Sequence, residues 1–161
     1  MVIVSPGFQR TKETQISNSL ELARRGFVTL VVDPYNQGES SSQQDDDDGS
    51  AVITAVDYVS TNLGTFNYVD PQRIGITGHS AGGSAVRTAA NYYGKKMDDA
   101  LKAAKDTASE GGETITDRER ADAEALDPIA AVFISGWLRN LDEKKFAHVH
   151  SNMGLGYARY D

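Results

Sequence analysis

The distribution of apolar residues constrains the fold of this chain more than any other feature. Four short runs are continuous rather than alternating and are rich in β-branched residues: Val2–Val4, Val28–Val32, Ile74–Thr77 and Ile129–Ile134. Such runs are typical of strands that are covered on both faces. The four prolines of the chain lie near the ends of these runs, where a residue without an N–H group is tolerated. The runs therefore predict four buried strands.

Helical patterns occupy the gaps between the runs. Apolar stripes with helical spacing occur over residues 16–23, 52–59 and 85–90, and Gly26 is suited to end the first of these helices. Alternation of strands and helices predicts a parallel sheet with right-handed crossovers. The expected fold class is therefore α/β, a three-layer α/β/α sandwich with a mainly parallel sheet.

Two segments depart from this alternation. Residues 94–127 are rich in charge, with a weak helical stripe over 97–104 and a capping box over Thr116–Glu119. We interpret them as a peripheral helical insertion before the last strand, with a substrate lid as the alternative. Residues 138–161 show no clear period, so they are predicted to be an irregular tail or a segment separated from the part of the protein on which it packs.

One serine lies in a glycine pattern at the junction of a predicted strand and a predicted helix. The sequence there is Gly78-His79-Ser80-Ala81-Gly82, followed by Gly83. A tight strand-to-helix turn would project the serine hydroxyl above the carboxyl edge of the sheet, and glycines on either side would let the backbones approach. The pattern predicts that Ser80 is a nucleophile. The alternatives are a glycine-rich turn with an incidental serine and a Rossmann-type nucleotide site, whose glycine spacing does not fit.

Three stretches of the sequence resemble the α/β-hydrolase superfamily of esterases. Residues 70–83 are similar to its nucleophile segment, in particular in the dienelactone-hydrolase-like and acetyl-xylan-esterase-like groups. Residues 2–8 resemble its third strand and oxyanion loop, and residues 31–40 resemble its fourth strand and the following turn. The resemblance implies an incomplete α/β-hydrolase fold, a single truncated domain over 1–161. Its four strands would lie in the order second, first, third, fourth.

The resemblance also implies roles for individual residues. Ser80 would attack the carbonyl carbon of a small carboxylic ester or thioester, and no cofactor would be needed. The backbone N–H groups of Phe8 and Ala81 would form the oxyanion hole. His79, together with Gly78, Gly82 and Gly83, would shape the elbow around the nucleophile. Asp33 is expected to bond its own turn, with a catalytic role as the alternative.

A serine hydroxyl is a weak nucleophile without a general base. The family supplies an acid and then a histidine later in its chain. Here His148 or His150 could act as the base, with Asp142 or Glu143 as the acid, only if the tail folds back over the strand ends. Otherwise they are surface residues. We expect the chain to be a fragment that lacks this acid, this histidine and the first two strands.

A competing hypothesis is that the chain is a catalytically inactive α/β fragment that serves as a binding or interaction module. Its exposed sheet edges would then favour self-association. The fluorophosphonate reactivity of Ser80 would separate this hypothesis from the esterase one.

The composition disfavours several other classes. The chain has 16 Lys and Arg against 23 Asp and Glu, a net charge of −7, which disfavours nucleic acid and anionic membranes as partners. The absence of cysteine excludes disulfides and thiol catalysis. No metal is expected, because the acidic run within 40–49 lacks calcium-loop spacing and the histidine pair lacks a third ligand. No signal or membrane-spanning segment is visible, which leaves the localisation open and slightly favours the cytoplasm.

Overall fold

The computed structural model describes residues 1–41, 49–136 and 143–156. Five strands pair in parallel in one sheet, in the order β2-β1-β3-β4-β5. Their bounds are β1 Val2–Ser5, β2 Thr29–Val31, β3 Ile74–His79, β4 Ile129–Ser135 and β5 Asn152–Gly156. The predicted α/β class, the parallel sheet and the order of the first four strands are confirmed.

The described ranges contain four α-helices: α1 Ile16–Arg24, α2 Ser50–Thr61, α3 Ala81–Glu110 and α4 Asp117–Glu124. The first three pack on the sheet, and α4 packs on α3. The main core lies where α2 and α3 pack on one face of the sheet. Ile3, Ile76 and Ile134 point to this face and are at most 1% exposed, and they pack with Val52 and Val86. Burial of each such side chain contributes about 1.5–3 kcal/mol, so this face holds much of the folding free energy.

The opposite face of the sheet carries α1, which packs beside β2. Strand residues whose side chains alternate with those of the main core, including Thr77 and Phe133, line an open groove on this face. Leu22 of α1 lines the same groove. Phe133 remains 49% exposed there. The edge strands of the described sheet are β2 and β5; self-association through such edges stays a prediction.

The tail prediction was wrong over Asn152–Gly156, which form β5 instead of irregular structure. The ring of Phe133 on β4 lies over two glycines of this strand. A Cβ atom on Gly154 would lie 2.8 Å from the Phe133 ring, and one on Gly156 would lie 2.9 Å from it. Glycine has low intrinsic strand propensity, so β5 depends on tertiary packing that the sequence pattern does not display. Leu138 and the residues after Gly156 lie outside the described part of the chain.

The segment 94–127 consists of the second half of α3, a turn and α4. Helix α3 continues through residue 94 without a break and ends before Gly111. Helix α4 begins with the capping box: the Thr116 hydroxyl accepts a hydrogen bond from Glu119 N–H at 3.2 Å, and the Glu119 carboxylate accepts one from Thr116 N–H at 2.9 Å. None of the helices over the described ranges is long and apolar enough to cross a membrane.

Candidate active site

Ser80 lies between the last residue of β3 and the first residue of α3. Its backbone has φ +55° and ψ −117°, a conformation that costs a non-glycine residue about 1–3 kcal/mol. Two hydrogen bonds hold it: Ser80 N–H donates to Ser135 O at 2.9 Å, and Ser84 N–H donates to Ser80 O at 3.2 Å. The strained serine is therefore fixed both by the neighbouring strand β4 and by the first turn of α3.

Three glycines permit the close approach of backbones around Ser80. A Cβ atom on Gly78 would lie 2.1 Å from Gly82 O, and one on Gly82 would lie 2.3 Å from Ser5 O. A Cβ atom on Gly83 would lie 2.6 Å from a methyl carbon of Ile134. Only a hydrogen atom fits at the first two positions, because the opposing atoms belong to the backbone and cannot rotate away.

The loop after β1 packs directly against this turn. A Cβ atom on Gly7 would lie 3.5 Å from the Cβ atom of Ser80. The Arg10 N–H donates to Gly7 O at 3.1 Å, which closes a tight turn in which Gln9 has φ +54°. Phe8 occupies the second position of this turn, and the residue is 71% exposed.

Several backbone N–H groups near Ser80 have no acceptor among the described residues, and those of Phe8 and Ala81 are among them. Ala81 is the first residue of α3, where N–H groups have no partner within the helix, and no side chain caps this end. Free donors at a helix start suit an oxygen atom that develops negative charge.

A cavity of about 450 Å³ lies beside this turn; Phe8 and Ala81 are among its lining residues, whereas Ser80 is not. The loop after β2 contributes Tyr35 and Gln37, and α2 contributes Ala51 from its first turn. Cavities of about 300–1,000 Å³ commonly accept small ligands. None of the described residues that line this cavity is charged.

The His79 ring lies between the loops that follow β1 and β4. A Cβ atom on Gly136 would lie 2.9 Å from His79 Nε2, and one on Gly7 would lie 3.3 Å from Nδ1. Gly136 has φ +87°. The ring therefore fills the space between the two loops.

The structure does not bring His148 and His150 to Ser80. His148 Nδ1 lies 2.6 Å from one oxygen of the Asp98 carboxylate, and His150 Nε2 lies 3.0 Å from the other. Asp98 lies 17 residues beyond Ala81 on α3, and at 1.5 Å per residue it is about 25 Å from the start of the helix. The prediction that His148 or His150 could act as the base for Ser80 is therefore wrong, because both side chains are held at the distal half of α3.

Hydrogen bonding to His148 lowers the pKa of the Asp98 carboxyl below its ordinary value, against burial that raises it, and His150 adds to the lowering. This three-residue cluster was not foreseen, because Asp98 is far in sequence from both histidines.

Asp142 and the side chain of Glu143, the predicted acids, lie outside the described part of the structure. Within the described ranges no three His, Asp or Glu side chains are grouped so as to hold a metal ion.

The Asp33 carboxylate, with a side chain only 6% exposed, accepts hydrogen bonds from Lys12 and from its own turn. The donors are Lys12 N–H at 2.6 Å, Lys12 Nζ at 2.8 Å and Glu39 N–H at 3.3 Å. The bond to Glu39 belongs to the turn that the sequence pattern indicated. The two bonds to Lys12 were not anticipated, because nothing in the local pattern marks Lys12.

With its parallel sheet and helices on both faces, the chain is a hydrolase of the α/β type, a member of the α/β-hydrolase superfamily. Residues 1–145 match the family described as PETase, PET hydrolase-like, and the chain belongs to this family. The superfamily assignment made from the sequence and the incomplete α/β-hydrolase fold are confirmed.

Solved structures of esterases are similar to this chain in fold. The esterase Pf2001 of Pyrococcus furiosus has 16% sequence identity and a TM-score of 0.53, covering 99% of this chain and 73% of that one. A lipase-esterase related protein from Clostridium acetobutylicum ATCC 824 has 14% identity and a TM-score of 0.49, covering 99% of this chain and 85% of that one.

Proposed function

We propose that this chain carries the nucleophile and the oxyanion hole of a serine esterase that acts on small carboxylic esters. The observation that carries the proposal is the positive φ of Ser80 in a turn where Gly78 and Gly82 admit no side chain. Such strain persists only where the surrounding structure enforces it, and it clusters at functional sites. The description of the family names PET, a polyester, which agrees with an ester bond as the target.

In the proposed reaction, Ser80 Oγ forms a bond to the ester carbonyl carbon and loses its proton to a base. The carbonyl oxygen becomes an oxyanion that accepts hydrogen bonds from the N–H groups of Phe8 and Ala81. Loss of one such donor costs an esterase or protease about 2.7–4 kcal/mol in the transition state. The bond to the alkoxy oxygen then breaks, the base returns its proton to the leaving alcohol, and water hydrolyses the acyl-serine.

The base and the acid that orients it are not found near Ser80 among the described residues. We therefore propose that both act from outside the described part. For the acid, the candidates within this sequence remain Asp142 and Glu143, which follow β4 along the chain. A thioester remains the alternative substrate, since the same elbow serves both reactions.

Labelling with a fluorophosphonate probe tests the proposal on the 161-residue chain. Imidazole in the buffer serves as an external general base that can replace a missing histidine. We expect slow labelling of the wild-type chain, at least tenfold faster labelling in imidazole, and none in Ser80→Ala. Ser84→Ala, which removes a hydroxyl one helical turn away, is the matched control and should label like the wild type.

Two results would contradict the proposal in different ways. Absence of labelling in every condition would remove the esterase function and favour the binding-module hypothesis. Fast labelling without imidazole, abolished by Ser80→Ala, would instead show that this chain already contains a working base.

A further inference from the structure

The loop that carries Phe8 is anchored at both of its ends. We call residues Gly7–Lys12 the oxyanion loop. At its start, Gly7 packs against Ser80 and the carbonyl group of His79. At its end, Lys12 N–H donates to the Asp33 carboxylate at 2.6 Å. Between them, Arg10 N–H lies 3.0 Å from Gln37 Oε1 in the loop after β2.

The Asp33 carboxylate is enclosed by the turn after β2. Gly38 has φ +57°, and a Cβ atom there would lie 2.4 Å from an oxygen of Asp33, so the turn folds closely over the carboxylate. Lys12 Nζ donates to the same carboxylate at 2.8 Å. The carboxylate is thus a single buried acceptor shared by the turn after β2 and by the end of the oxyanion loop.

This carboxylate remains charged at neutral pH. Burial opposes ionisation of Asp33, but hydrogen bonds from the Lys12 side chain, Lys12 N–H and Glu39 N–H outweigh that penalty and hold the pKa of Asp33 below its ordinary value. Hydrogen bonds to a charged acceptor are roughly twice as strong as those between neutral groups. The link between Asp33 and Lys12 is therefore a firm attachment of the oxyanion loop.

We propose that Asp33 is a positioning residue, whose carboxylate fixes the oxyanion loop so that Phe8 N–H faces the oxyanion formed at Ser80. This inference rests on the proposed esterase function. Phe8 is four residues from Lys12 and lies in the turn closed by Arg10 N–H, so release of Lys12 leaves that turn held only at Gly7 and by the bond from Arg10 N–H to Gln37 Oε1. A misplacement of about 1 Å in a catalytic group can cost a hundredfold in rate.

The test compares Asp33→Ala, Asp33→Asn and the control Glu39→Gln in fluorophosphonate labelling with imidazole present. Asp33→Ala is expected to lower the maximal inactivation rate at least tenfold, while the probe concentration for half-maximal rate changes less than twofold. Asp33→Asn keeps an oxygen atom that can accept from Lys12 N–H, so its maximal inactivation rate should lie between those of Asp33→Ala and the wild type. Glu39→Gln removes only a partner of Lys12 whose side chain is 90% exposed and keeps the backbone bond to Asp33, so its rate should stay within twofold.

A second readout does not require a reactive serine. In ¹⁵N–¹H correlation spectra, Asp33→Ala should shift or broaden the Phe8 amide resonance, whereas Glu39→Gln should leave it in place. An unchanged Phe8 resonance in Asp33→Ala would overturn the positioning role whether or not Ser80 reacts. An inactivation rate equal to that of the wild type in a folded Asp33→Ala variant would also overturn the positioning role. If Asp33→Ala does not fold, the same result in Asp33→Asn would overturn it. Failure of the wild type to label contradicts the esterase proposal alone.

Discussion

The amide of Ser80 donates a hydrogen bond to the carbonyl oxygen of Ser135 at 2.9 Å, across the end of the sheet. This bond joins the serine turn to the last residue of β4, 55 residues further along the chain. Because it holds the backbone of Ser80 from outside the turn, it opposes relaxation of the strained φ angle. The geometry of the proposed nucleophile thus depends on correct pairing of β3 and β4.

Replacement of Gly82 by alanine should destabilise the protein and disable the elbow. The new Cβ atom would lie 2.3 Å from Ser5 O and 2.4 Å from Pro6 O, so the first turn of α3 must move away from the loop after β1. Overpacking of this kind costs about 1–3 kcal/mol, measurable as a lower urea midpoint. Gly64→Ala is the control, since nothing lies within 4 Å of its added Cβ atom. Equal midpoints for the two variants would contradict this close approach.

Gly154 and Phe133 should be energetically coupled. Gly154→Ala places a methyl group against the Phe133 ring, at 2.8 Å before relaxation, and should destabilise the wild type by about 1–3 kcal/mol. In a Phe133→Ala background the same change should cost much less, because the opposing ring is gone. Chemical denaturation of the four proteins in a double-mutant cycle measures the coupling. Strictly additive effects would mean that the ring does not lie over β5.

Asp98 holds His148 and His150, which lie just before β5 in the chain. The attachment of this strand to α3 should therefore be sensitive to acid. Because the folded-state pKa of Asp98 is lowered, chiefly by its bond to His148, its contribution is complete above its ordinary pKa of about 3.9 and is lost as the pH falls through the lowered value. Asp98→Asn should therefore weaken the amide-exchange protection of Leu155 at neutral pH and flatten its decline in acid. Asp106→Asn is the control, since its lysine partner is an exposed neighbour on the same helix. The same acid profile in all three proteins would rule out this role.

Much of the fold is readable from local patterns. The four apolar runs predict four strands, and the alternation with helical stripes predicts their parallel pairing, because each crossover helix must return the chain to the same end of the sheet. The glycines at 78 and 82 mark the elbow through a steric requirement that is itself local, a bend that tolerates no side chain. These features need no knowledge of distant contacts.

The remainder depends on contacts that a local pattern does not encode. Strand β5 contains Gly154 and Gly156, which weaken its strand propensity. These glycines leave room for the Phe133 ring of the neighbouring strand β4. The histidines of the tail are 50 or more residues from Asp98, and Lys12 is 21 residues from Asp33. Such pairs become visible only once the chain is folded, so the sequence alone assigned those side chains to the surface or to a single turn.

A crystal structure of the fluorophosphonate adduct would test the central claim most directly. The account predicts a bond from phosphorus to Ser80 Oγ, with the phosphonyl oxygen about 2.7–3.1 Å from the backbone nitrogens of both Phe8 and Ala81. A probe attached to another residue, or a phosphonyl oxygen that faces solvent away from these two nitrogens, would contradict it.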